Sequence, residues 1–366
     1  MMAAISASRH HRVSLLEGGK ELGKKLLITG GGRCNVTFKG DQDFFFQHVF
    51  PNPNFLRPAF KAFHNEVLLD FFKGIGFKVE GQKVYPSSDR ASTIRDYLVK
   101  ELENRGVEVL YEHRVEEVII ENNRVQGVLL GDTCFELKHL ILAPGGRSYP
   151  GTGSDGRLLK KIPIKKTPSY GVLVGIETKE DLSDLSGISI QAKAIYKKKA
   201  YRGELLFTHK GISGPLAFTL SQYYDKKVGE ILVDLLPDVK EEMLRHVLFM
   251  DKRPLTSSLS GYLPKALIHH LAGSDVHRHQ LKKNEREELV KRFKALLLTV
   301  KQLGSTESAI VTRGGVKLSE IDPSTMKAKG IEGLSFAGEC VDLDGSSGGF
   351  NLQIAFSTGY LAGSNL

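Results

Sequence analysis

The feature that most restricts the fold of this chain is an apolar run that breaks directly into glycine. It occurs in Leu140-Ile-Leu-Ala-Pro-Gly-Gly146 and again in Leu334-Ser-Phe-Ala-Gly338, and a third apolar run, Leu26-Leu-Ile28, leads into Gly30-Gly-Gly32. A buried strand ending in a glycine-rich loop is how a parallel-sheet protein presents its backbone to a ligand at the carboxyl ends of its strands. Gly30, Gly31 and Gly32, followed by Arg33 and Asn35, let the chain approach a ligand closely, and Arg33 brings a charge suited to a phosphate or carboxylate. The segment 333–360 reads as a strand, an acidic loop and a helix, with Gly348 and Gly349 at the helix start. Free N–H groups and the positive end of the helix dipole then face the loop.

Near the amino end, residues 3–8 read as the end of a small-residue helix. Residues 12–17 follow as a short strand ending in Glu17, with Gly18 and Gly19 next. An acid at the end of the second strand of a βαβ unit accepts hydrogen bonds from the ribose hydroxyls of a dinucleotide. Such a unit opens on a hydrophobic strand and a G-x-G-x-x-G turn, and here the sequence starts inside the helix that would follow them. Two expectations result. Either the natural start lies further upstream, or the chain is a decayed remnant.

The middle of the chain changes character twice. Residues 54–74 have helical spacing with Phe55, Phe60, Phe63, Phe71 and Phe72 as core, and 92–105 read as a helix ending at Gly106. Strands follow around 107–111, 114–120, 124–130 and 134–142, with a hairpin at Asn122-Asn123. The expected domains are 1–165 with 306–366 as a Rossmann-like dinucleotide-binding α/β domain of three layers, 166–238 as a β-barrel-like insertion, and 239–305 as a helical insertion.

Composition narrows the function classes. With 366 residues, 41% hydrophobic and 25% charged, the chain is a folded globular protein. No apolar run approaches the roughly 20 residues that span a bilayer, and the opening lacks a signal-peptide pattern, so a cytoplasmic, non-membrane protein is expected. Cys34, Cys134 and Cys340 are isolated, which argues against a zinc site or disulfide framework. The histidines 269, 270, 277 and 279 lack the carboxylate or cysteine spacing of a metal site, and no metal is expected. A net charge of +9 suits an anionic partner. The lysines at 197–199 and 226–227 stand without interleaved aromatics and read as solvated turns, which disfavours nucleic acid.

Five strings, LLITGGGRCNVT (26–37), HLILAPGGRSYPGTGSDG (139–156), GELLFTHKGISGP (203–215), TRGGVKLSEIDPSTM (312–326) and FAGECVDLDGSSGGFNLQIAFSTGYLAG (336–363), occur in an order that resembles a family of bacterial FAD-dependent oxidoreductases, the BaiN or aminoacetone-oxidase-like family. The resemblance implies an FAD domain built from both chain ends, with the barrel-like and helical insertions between them. It implies Glu17 on the adenosine ribose, with Gly18 and Lys25 nearby, and Gly30, Gly31, Gly32, Arg33, Cys34 and Asn35 near the flavin. It also implies Val115 at the adenine, Ala143, Gly145 and Gly146 on a cofactor-facing loop, Gly338, Glu339 and Asp344 beside the ribityl chain, and Gly349, Asn351 and Leu352 at the helix start on the flavin. Pro144 departs from the Ala-Thr-Gly usual there and removes one backbone donor.

The function expected is oxidation or reduction of a small organic substrate through FAD, with NAD(P)H a candidate electron donor although no second complete G-x-G-x-x-G is present. His209, in Phe-Thr-His-Lys-Gly, is the candidate substrate-facing acid. Two alternatives stand beside it: a remnant that has lost catalysis, and a basic RNA-associated flavoprotein.

Overall fold

The computed structural model describes residues 1–152, 155–224, 229–250, 253–273 and 281–366. His277, His279, Lys226 and Lys227 lie outside the described residues. The chain forms two units, Met1–Gly171 with Thr306–Leu366, and Val172–Ser305.

In the first unit, strand Ser14–Leu16 pairs in parallel with Glu108–Leu110, and Leu140–Leu142 pairs in parallel with Leu334–Phe336. Side chains alternate across a strand. Leu15 accordingly joins a core with Ile5, Leu26, Ile94, Leu98 and Phe356, while Leu16 joins another with Leu142, Leu334, Phe336 and Ile354. Both faces of the sheet are thus covered, as a doubly wound α/β fold requires. Helix Ala91–Asn104 contributes Ala91, Ile94, Leu98 and Leu102 to the first core at helical spacing, and the chain leaves it through Gly106 at φ +65°. An antiparallel meander, Glu117–Glu121, Arg124–Leu130 and Thr133–Glu136, turns at Asn122 and Asn123, both at positive φ, as a two-residue hairpin demands.

Helix Phe350–Ser364 runs through the unit, and its small residues admit helix Met2–Ala7. A Cβ at Gly363 would lie 2.2 Å from the Ala3 carbonyl oxygen, and the Ser6 hydroxyl donates to the Tyr360 carbonyl at 2.9 Å. Gln353, fully buried, accepts from the Thr37 hydroxyl at 2.6 Å and donates to the Phe63 carbonyl at 2.9 Å and the Ser357 hydroxyl oxygen at 3.0 Å.

The second unit is a closed six-strand antiparallel barrel in the order Ile176–Thr178, Gly211–Ser213, Lys199–Thr208, Ser189–Tyr196, Glu230–Asp234, Leu296–Leu303. Helices Glu241–Met250, Leu255–Leu259, Lys265–Ala272 and Lys283–Lys294 enter between its last two strands, and Leu244, Leu248, Leu267, Leu289 and Phe293 share one core with barrel residues Ala192, Phe207 and Val233. Residue 238 therefore lies inside one packed unit that runs from Val172 to Ser305. Leu296–Leu303, within the stretch expected as a helical insertion, is strand: a short apolar run after a charged helix carries no period of its own, and the barrel edges decide it. Among the described residues, no helix is long and apolar enough to cross a membrane.

Candidate functional site

The site is assembled on the first unit at the carboxyl ends of its parallel strands. Glu17 continues the Ser14–Leu16 strand, its N–H bonded to the Leu110 carbonyl at 2.9 Å and its carbonyl receiving the His113 N–H at 2.9 Å. Its half-buried carboxylate bends back to accept the Gly19 N–H at 2.7 Å. A Cβ on Gly18 would touch Arg114 at 3.4 Å, so Glu17, Gly18 and the half-buried Val115 gather at one place. Arg114 in turn donates to Asp155 at 2.9 Å.

The loop after Leu140–Leu142 and the turn after Leu334–Phe336 meet at Glu339. Its carboxylate accepts the Lys25 ammonium at 2.9 and 2.7 Å, the Thr312 N–H at 2.8 Å and the Gly146 N–H at 3.2 Å. Lys25 also donates to the Ser148 hydroxyl oxygen at 2.7 Å, and the Thr312 hydroxyl accepts the N–H groups of Arg147 and Ser148 at 2.8 and 3.2 Å. Ala143 is exposed, Gly145 half-buried at φ +80°, and Gly338 half-buried at φ +71°. Both glycines hold backbone conformations that side chains rarely adopt.

The triple glycine forms a tight turn after a short helix, Lys24–Ile28, so the apolar run leading into it is helical. Gly30, Gly31 and Gly32 all have positive φ, as does Cys34 at +58°. Arg33 is engaged within the protein: its Nε donates to Asp89 at 2.7 Å, its terminal nitrogens form a fork on Glu80, and it stacks over Tyr85 at 4.1 Å. The charge expected to meet a phosphate instead ties the loop to the hairpin Phe77–Glu80 and Lys83–Pro86. Asn35 serves the same end by accepting the Val84 N–H at 3.1 Å. Cys34 is fully buried, which pushes its thiol up to about 12, so it is a packed thiol and no nucleophile.

Lys78 and Arg33 hold the Asp89 carboxyl below its ordinary range, and Arg33, followed by Lys78, does the same for Glu80. Folded values below unfolded ones mean that the cluster's contribution is complete above about pH 4 and is lost as pH falls through the lowered values. Amide protection across 29–35, measured by hydrogen exchange, is expected to fall selectively on acidification below pH 4, and Arg33→Met is expected to remove it at neutral pH.

The helix start is fixed by Gly349 at φ +97° and by Asn351, which accepts the Gly345 N–H at 2.8 Å and donates to the Gly345 carbonyl at 2.7 Å. The first intrahelical bond of the final helix runs from the Gln353 N–H to the Gly349 carbonyl, so the N–H groups of Phe350, Asn351 and the half-buried Leu352 precede it. Asp344, fully buried, does not offer its carboxylate outward: Arg313 donates to both oxygens at 2.6 and 2.8 Å. Burial disfavours the Arg313 cation, yet the Asp344 bonds outweigh it and raise the guanidinium pKa. Sequence reasoning gave no roles to Ser148, Thr312 or Arg313. His209 is exposed at the turn between Lys199–Thr208 and Gly211–Ser213, on the barrel unit.

An FAD molecule needs an acceptor for ribose hydroxyls, a stretch of closely approachable backbone and a donor-rich end for the flavin. Glu17, the glycine-bearing loops at 145–146 and 338, and the start of the final helix provide these in one unit, and the residues present fit the group. The fold and site define the class: a Rossmann-like FAD-binding α/β domain with an inserted barrel.

A family model described as the HI0933-like protein Rossmann domain matches residues 1–365, and the chain belongs to that family. It is 31% identical over 401 residues to a 3-dehydro-bile acid delta(4,6)-reductase of Clostridium scindens, covering 99% of this chain and 95% of that protein. It is 30% identical over 376 residues to a ribosomal RNA dihydrouridine synthase of Haemophilus influenzae, covering 98% and 93%. Among solved structures, a 3-ketosteroid-delta4-(5alpha)-dehydrogenase from Rhodococcus jostii has the same fold, with a TM-score of 0.50 at 14% identity over 100% of this chain and 92% of that one. Fold and family together put the chain among the FAD-dependent oxidoreductases.

Proposed function

We propose that the chain is an FAD-dependent reductase that saturates a ring carbon–carbon double bond conjugated to a carbonyl group. The observation that carries this reading is full-length similarity to two proteins whose names share that chemistry. One reduces Δ4,6 bonds of a 3-dehydro, that is 3-oxo, bile acid, and the other makes dihydrouridine, in which the ring double bond beside a carbonyl is saturated. Reduced FAD, when bound, would supply the hydride that such a substrate takes at its β-carbon. NAD(P)H is the proposed source of its electrons.

The chain's own residues bind and orient. Glu17 takes the ribose hydroxyls and the backbone at Val115 meets the adenine. Gly30, Gly31 and Gly32 lie beside the flavin, and the loops carrying Gly145, Gly146 and Gly338 admit the rest of the cofactor. The N–H groups of Phe350, Asn351 and Leu352, at the positive end of a 15-residue helix, stabilise the edge of the flavin that becomes negative on reduction. His209 is proposed to place a proton on the substrate. His209→Ala is then expected to lower kcat about 100-fold with FAD content unchanged, and unchanged turnover would remove His209 from the mechanism.

A second reading, reduction of uridine within RNA, is favoured by the dihydrouridine synthase relative together with the +9 charge. One experiment tests both. Anaerobically reduced holoprotein is mixed with a 3-oxo-Δ4 steroid acid or with unmodified ribosomal RNA, and flavin reoxidation is followed while products are weighed by mass spectrometry. A gain of two hydrogens on the steroid supports the first reading and on uridine the second. If neither substrate reoxidises the flavin, the conjugated-alkene proposal falls.

A further inference from the structure

The Glu339 carboxylate receives four contacts within 3.2 Å from three donor groups, two from the Lys25 ammonium and one each from the N–H groups of Thr312 and Gly146, and the Ser148 hydroxyl stands at 3.5 Å. A carboxylate presents about four lone-pair sites. An ammonium has three N–H bonds, and those of Lys25 reach Ser148 and both Glu339 oxygens. Each group is therefore saturated by the protein itself. With side chains 28% and 18% exposed, the pair is also largely withdrawn from solvent.

Four segments converge on it: helix Lys24–Ile28 through Lys25, the loop after Leu140–Leu142 through Gly146 and Ser148, strand Val311–Val316 through Thr312, and the turn Gly338–Cys340 through Glu339. Gly146 belongs to the same packing. A Cβ there would lie 2.6 Å from Glu339 and from the Thr312 hydroxyl, so the contact with Glu339 requires glycine whether or not a ligand approaches.

We infer that Lys25 and Glu339 are positioning residues for the cofactor loops and contact neither phosphate nor ribityl hydroxyl. Lys25 neutralises Glu339, and the neutralised carboxylate fastens the 143–148 loop to the 338–340 turn. The backbone around Gly145 and Gly338 is thereby held at a fixed height. The inference rests on the FAD-binding reading, but its first readout does not.

The test is a double-variant cycle of Lys25→Met, Glu339→Gln and both together, measured as the melting temperature of the cofactor-free protein and as FAD affinity at several ionic strengths. Lys25→Met strands a carboxylate and is expected to lower the melting temperature by about 4–8 °C, and to weaken FAD binding about tenfold with the salt dependence of binding unchanged. The double variant, in which the amide oxygen still accepts one of the two backbone N–H groups, is expected to regain part of both losses. Strict additivity of the two substitutions in melting temperature would overturn the inference. So would a Lys25→Met protein of unchanged melting temperature whose FAD binding has lost salt dependence, because that is the signature of a direct phosphate contact. Failure of the unsubstituted chain to bind FAD would overturn the cofactor reading alone, since the thermal cycle is read without FAD.

Discussion

Gly349→Ala is expected to lose FAD binding and most soluble folded protein, with a destabilisation above about 4 kcal/mol. A Cβ at this position would lie 2.2 Å from the Thr37 carbonyl oxygen and 2.4 Å from its carbon, with the residue at φ +97°. The backbone it strikes has little room to give. The Thr37 hydroxyl is tied to the buried Gln353, Val36 is bonded to Val84, and Gln353 in turn holds Phe63. Relief must come from the helix start, which moves the first-turn N–H groups. Gly74→Ala, outside the proposed cofactor site, is the control: it has φ +86° but nothing within 4 Å of the added carbon, so only backbone strain of about 1 kcal/mol is expected. Yield, melting temperature and flavin content of the two proteins distinguish a steric cause from a general intolerance of alanine for glycine.

The second large effect is expected at Asp344. Asp344→Asn is expected to destabilise the chain by about 3–5 kcal/mol, the cost of leaving a buried cation without its counter-charge. Asp344 is fully buried and the Arg313 side chain only 13% exposed. The pair sits where Asp344 and Gly345 bridge to Val49 and Phe50, immediately before the glycines that start the final helix. Arg313 also stacks on Phe50 at 5.1 Å. Chemical denaturation measures the loss, and Arg313→Met combined with Asp344→Asn is expected to cost less than Asp344→Asn alone. If the single variant matches the parent within 1 kcal/mol, the pair does not hold the loop.

What was legible in the sequence was what local chemistry decides. Asn122-Asn123 announces a hairpin because two consecutive positive φ angles suit asparagine, and Gly106 announces the end of a helix for the same conformational reason. Glu17 lies at a strand end and Gly349 at a helix start, positions that each carry a short signature in the sequence. The phenylalanine-rich segment 54–74 was correctly read as helical core, but it is two helices, Arg57–Ala62 and Asn65–Phe71, broken at Phe63 and His64.

What stayed hidden depends on residues far apart in the chain. Arg33 is a residue type suited to a phosphate, and the partners it has in the structure, Glu80 in another hairpin and Asp89 just after it, stand 47 and 56 residues away. Lys25 and Glu339 are separated by 314 positions, and Asp344 finds its partner 31 positions back. Charge pairing leaves no periodic mark, so a residue type suited to a ligand cannot be told from one suited to a distant side chain. The last barrel strand was missed for a related reason, since only its edge partners at 230–234 and 176–178 make Leu296–Leu303 extended.

The most direct measurement is a titration of the purified chain with FAD, followed by visible absorption and by the protein retained flavin after gel filtration. One FAD per chain, retained in the parent and lost in Gly349→Ala, is the expected result. A chain that retains no flavin at any FAD concentration while remaining folded would contradict the assignment of the strand ends and the helix start as a cofactor site.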